Sequence, residues 1–92
     1  MIRTFRCRDT EVLWNTGIGH GFLQSIERVA LRKLQMLDQA TRLDDLRSPP
    51  SNRLEALVGD RAGQWSIRVN DQYRVCFVWD NDAYDVEIVD YH

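Results

Sequence analysis

The feature that most restricts what this chain can fold into is a pair of alternating apolar rows. Trp65, Ile67 and Val69 take every second position, and after a three-residue link Tyr73, Val75, Phe77 and Trp79 do the same. Alternation at period two is the signature of strands with one face buried. If both rows face one core, Trp65 lies opposite Phe77, Ile67 opposite Val75 and Val69 opposite Tyr73, because a one-residue slip would turn a whole row to solvent. The link, Asn70, Asp71 and Gln72, is a common hairpin length.

The same register sets Arg68 directly opposite Arg74 on the other face. Like charges opposed across a sheet are unfavourable unless neutralised. Two readings of the pair stand: an anion, with phosphate the natural guest of guanidinium, or local pairing with carboxylates such as Glu55, Asp85 or Glu87. In the next strand, AYDVEIVDY, pairing Phe77 with Val86 places Glu87 and Val89 on the arginine side. Tyr91 continues that parity, and Asp90 points the other way.

The remaining segments predict an α+β fold, two helices packed on one face of a mostly antiparallel sheet. MIRTFR reads as a short opening strand. EVLWN reads as a brief helix capped by Asp9 or Thr10 and closed by Gly17, and GIGHG as a loop in which His20 is idle. Apolar residues at 22, 26, 29, 30, 34, 37 and 40 give the stripe of a longer helix, with Glu27, Arg28, Arg32 and Lys33 on its solvated outer face. TRLDDLRSPPSN is a connection, RLEALV a strand and GDRAG a turn. At 92 residues, the length is that of one domain over 1–92.

Composition narrows the partners only slightly. The net charge is -2, yet the basic side is eleven arginines against one lysine, Lys33. That bias fits phosphate recognition, and it also fits a genome rich in arginine codons. Cys7 and Cys76 show no metal-ligand spacing and read as free thiols in a reducing compartment. The arginine-rich start, with no long apolar run after it, is neither a signal peptide nor a membrane anchor, so a cytoplasmic protein is expected.

The chemistry suggested by Arg74, Tyr91 and His92, with no nucleophilic Ser or Cys set, is attack of an RNA 2′-hydroxyl on the neighbouring phosphate. A base takes the hydroxyl proton, arginine stabilises the pentavalent charge and an acid protonates the leaving oxygen. The terminal carboxylate on His92 favours its protonated form, which suits a general acid.

The segments WSIRVNDQYRVCF, DAYDVEIVDYH, LEALVGDRAG and MIRTF together resemble the HigB toxins of bacterial toxin-antitoxin modules, within the RelE/ParE superfamily, over essentially the whole chain. The resemblance implies a small α+β toxin that enters the ribosomal A site and cleaves translated mRNA without a cofactor. It implies a HigA-like helix-turn-helix antitoxin partner, operator DNA contacted only through that complex, and no membrane partner. It implies catalytic roles for Asp90, Tyr91, His92 and Arg74, with Glu55 a candidate base and Arg61 a phosphate ligand beside Arg74. Arg68 rests on the register argument alone. Family members with well-defined ribonuclease activity resemble LHPLKGDR where this chain reads LEALVGDR, so Glu55 replaces a histidine and Val58 a lysine. Loss of that lysine and the acidic balance imply weaker or altered activity. Two other readings carry different expectations: a poison of another target such as gyrase, as in the ParE branch, or a co-repressor that mainly binds its antitoxin.

Overall fold

A computed structural model describes residues 1–90. Its elements are α1 (Arg8–Thr16), α2 (Glu27–Gln39), β1 (Glu55–Ala56), β2 (Trp65–Arg68), β3 (Tyr73–Asp80) and β4 (Asp82–Asp90). The strands form an antiparallel sheet in the order β1-β2-β3-β4. Helix α1 lies over β4, and α2 lies over β3 and β4. The expected α+β architecture is therefore what the chain adopts.

The two apolar rows pair as their alternation requires, with Trp65 opposite Phe77, Ile67 opposite Val75 and Arg68 opposite Arg74. Val69 closes the hairpin by donating its N–H to the Tyr73 carbonyl at 2.9 Å. Phe77, Ile67 and Val75 are fully buried against Leu13, Leu23, Leu34 and Leu37 of the helical layer. Burial of each such side chain contributes about 1.5–3 kcal/mol, and this layer holds the helices to the sheet.

Strand β4 carries a bulge. Its pairing with β3 shifts register between Cys76 and Val78, and Asp85 sits in the left-handed region at φ 53. The extra residue lets Ala83, Val86 and Ile88 all reach the core, although their numbers change parity. The Asp85 N–H, lost to the ladder, donates to Thr4 Oγ1 at 2.8 Å.

Several local expectations are corrected. MIRTFR is not a full strand but makes two isolated parallel bridges to β4, Ile2 with Ala83 and Phe5 with Val86. Helix α1 starts at Arg8 with no side-chain cap. Thr10, expected to cap, is buried, and its hydroxyl accepts the Ile88 N–H at 3.1 Å. The stripe from residue 22 begins as a 3-10 turn, Gly21–Ile26, before α2. The turn packs so tightly on the preceding loop that a Cβ on Gly19 would lie 2.7 Å from the Leu23 carbonyl oxygen. RLEALV keeps only Glu55–Ala56 as strand, since Arg53 before it turns left-handed.

The largest correction is Lys33. It does not join the solvated face of α2 but is buried, its Nζ 2.6 Å from Asn52 Oδ1. Asn52 lies in another 3-10 turn, Pro50–Asn52, inside the connection after α2.

Candidate functional site

Direct pairing across an antiparallel sheet keeps opposed side chains on one face. One row therefore runs Glu55, Ser66, Cys76, Glu87, and the next runs Arg68, Arg74, Val89. This face, opposite the helices, gathers every candidate on β1 to β3. The register thus places Glu55 on the arginine side despite the irregular backbone before it.

Two neutral oxygens help to orient Arg74. Its Nε donates to Ser66 Oγ at 2.7 Å, and Nη2 donates to the Arg53 carbonyl at 2.6 Å. Hydroxyl and carbonyl groups of this kind orient a guanidinium by its donor fork without themselves carrying opposite charge. Arg68 instead pairs with the Asp71 carboxylate in the hairpin link. Local pairing therefore answers the like-charge conflict at Arg68, through a carboxylate that the residue pattern did not single out.

Arg61 reaches the same face from the Gly59–Arg61 turn. Its Nη1 lies 2.9 Å from Glu87 Oε1, and Arg6 Nε approaches the same oxygen at 3.9 Å. These half-exposed ion pairs are each worth on the order of 0.2–1 kcal/mol. They matter more as a lid over Ser66 and Cys76, which are fully buried on a face that sheet parity would otherwise leave to water. Burial raises the Cys76 thiol above its ordinary value, with Glu87 adding to the rise and Arg61 and Arg74 opposing it.

Asp90 pairs with Tyr73 and accepts a hydrogen bond from Gln72 Nε2 at 3.0 Å. It thus lies on the opposite parity from Arg74, as expected. Tyr91 and His92 lie outside the described residues. Val58 is 83% exposed. Among the described residues, no three His, Cys, Asp or Glu side chains gather as metal ligands would, and no helix is long and apolar enough to cross a membrane.

Sequence reasoning missed Ser66, Asp71 and the Arg53 carbonyl, each of which holds an arginine. Ser66 could have been found, since it neighbours Arg68 on the same parity. A backbone carbonyl carries no side-chain signal at all.

Comparison with known proteins adds an independent line. The sequence model of the HigB-like toxin family, described as the RelE-like toxin of type II toxin-antitoxin system HigB, matches residues 4–92. Endoribonuclease HigB of Proteus vulgaris is 36% identical over 94 aligned positions, covering 100% of both chains. Toxin HigB-1 of Vibrio cholerae is 54% identical over 55 residues, 60% of this chain and 58% of the Vibrio protein. An uncharacterized Haemophilus influenzae protein is 38% identical over 68 residues, 74% of this chain and 67% of that one.

Proposed function

This chain belongs to the HigB-like toxin family of type II toxin-antitoxin systems, and from that premise we propose that it is an endoribonuclease that cuts mRNA on the ribosome. It acts as one domain in the cytoplasm, a HigA-like antitoxin neutralises it, and it meets operator DNA only within that complex.

The observation that carries the reading is Arg74, charged and oriented by Ser66 Oγ and the Arg53 carbonyl on the face that also holds Glu55 and Arg68. In the proposed step Glu55 takes the proton of a ribose 2′-hydroxyl, and the O2′–P bond forms as the P–O5′ bond breaks. Arg74 stabilises the charge on the pentavalent phosphorus. His92, with Tyr91 and Asp90 beside it in sequence, protonates the leaving O5′, leaving a 2′,3′-cyclic phosphate on one fragment. Arg61 and Arg68 hold flanking phosphates. Every proton moves between side chain and substrate, so the scheme calls on no metal.

The test maps mRNA 5′ ends in cells expressing the chain. Cuts should fall within translated codons and disappear in His92→Ala and Arg74→Ala; intact transcripts during growth arrest by the wild-type chain would sink the reading.

A further inference from the structure

The one lysine in the chain is also a buried cation. Lys33 is 5% exposed, and its ammonium donates to Asn52 Oδ1 at 2.6 Å. Burial lowers its pKa from the ordinary lysine value, and the neighbouring charges of Arg32 and Arg68 lower it further. Asn52 is itself fully buried. Its Nδ2 donates to the carbonyls of Leu46 at 3.2 Å and Ser48 at 3.4 Å. One amide thus ties α2 to the connection that follows it. A compact ammonium suits this single acceptor, whereas a planar guanidinium with five donors would not be satisfied there.

The next residue carries the consequence. Arg53 turns left-handed at φ 46, a conformation that a non-glycine residue holds only where its surroundings enforce it. Its N–H closes on the Pro50 carbonyl at 3.1 Å, and its own carbonyl, so aimed, accepts from Arg74 Nη2 at 2.6 Å. A continuous path therefore runs from Lys33 through the Asn52 amide and the Arg53 peptide to the guanidinium.

We propose that Lys33 and Asn52 are positioning residues for Arg74, fixing the Arg53 carbonyl that sets the guanidinium's orientation on the phosphate-facing side of the sheet. The inference rests on the reading of Arg74 as the group that meets the reacting phosphate. Neither residue touches substrate; they lie beneath the connection, toward α2. A misplacement of about 1 Å at a reacting group lowers rate on the order of a hundredfold, so loosening the Arg53 carbonyl should be felt at the chemical step.

The experiment uses the full chain and two readouts: water exchange of the Arg74 Nη–H, the group that meets the Arg53 carbonyl, by NMR at low temperature, and cleavage of ribosome-bound mRNA. Lys33→Met is the first variant. Lys33→Met with Asn52→Leu is the second; it removes both partners of the ammonium–amide bond but leaves the Leu46 and Ser48 carbonyls without the Asn52 donor, so its fold is checked first by circular dichroism. In a folded variant, Nη–H exchange should accelerate and kcat should fall roughly tenfold to a hundredfold with KM nearly unchanged. The kcat effect should vanish in an Arg74→Lys background. Unchanged exchange in both folded variants overturns the proposal, as does an equal kcat loss with and without Arg74→Lys. Faster exchange with undiminished cleavage keeps the positioning and removes Arg74 from the chemistry, so the two readings fail separately.

Discussion

Burial makes Lys33 sensitive to pH in a direction that can be worked out. Its folded pKa lies below the ordinary lysine value of 10.5, so between the two the unfolded chain binds the proton that the folded chain has released. Stability then rises as pH climbs through the folded value toward 10.5, and below the folded value the cost of burying the ammonium is fully present. Urea unfolding of wild type and Lys33→Met from neutral pH upward should show the difference shifting in favour of wild type as pH increases. A constant difference would mean that the ammonium is not desolvated. The same residue shows what single positions concealed. Lys33 falls three residues after Ala30 and four before Leu37, on the buried stripe of α2. Its charge argued for the outer face, and the group that lets it stay inside, Asn52, lies 19 residues on in a connection. Nothing local in the sequence announces that partner.

At the scale of elements, strand pairing was legible because alternation over β2 and β3 admits one register that buries both rows. Arg68 opposite Arg74 followed from it, and the expected pairing of Phe77 with Val86 in the next strand added Glu87 and Val89 beside them. The bulge in β4 was not legible, since Asp85 reads as one more polar residue in an alternating run. Its role is conformational: it supplies the left-handed step that keeps Ala83 and Val86 on one face. Asp85→Gly should therefore be tolerated, with a stability change within about 1 kcal/mol. Asp85→Val should destabilise by about 1–3 kcal/mol, because a β-branched residue at positive φ is strained. Equal denaturant midpoints for the two variants would show that the backbone does not need that conformation. The site's supports were hidden for a related reason: Arg61 meets Glu87 across 26 residues, a distance at which residue patterns alone specify no contact.

For the molecule as a whole, a net charge of -2 means that any attraction to RNA must come from one face rather than from the sum. Under the proposed function, Arg61, Arg68 and Arg74 would each meet a phosphate, about three contacts in all. Binding of a noncleavable single-stranded RNA should then weaken with salt at a log–log slope of about -2, and Arg68→Ala should reduce that slope by about 0.7. A slope near zero would place RNA recognition elsewhere on the molecule. The two bridges from Ile2 and Phe5 bear on a different property. They run along the outer rim of β4, where Thr10 also takes up the Ile88 N–H, while the opposite rim is only the two residues of β1, with the Pro50–Asn52 turn lying against β2 beyond it. Exposed strand edges are the templates on which chains stack into aggregates, and here one rim is covered and the other is too short to seed a ladder. A toxin of this family left without its antitoxin would then offer its own copies no long described strand edge on which to pair.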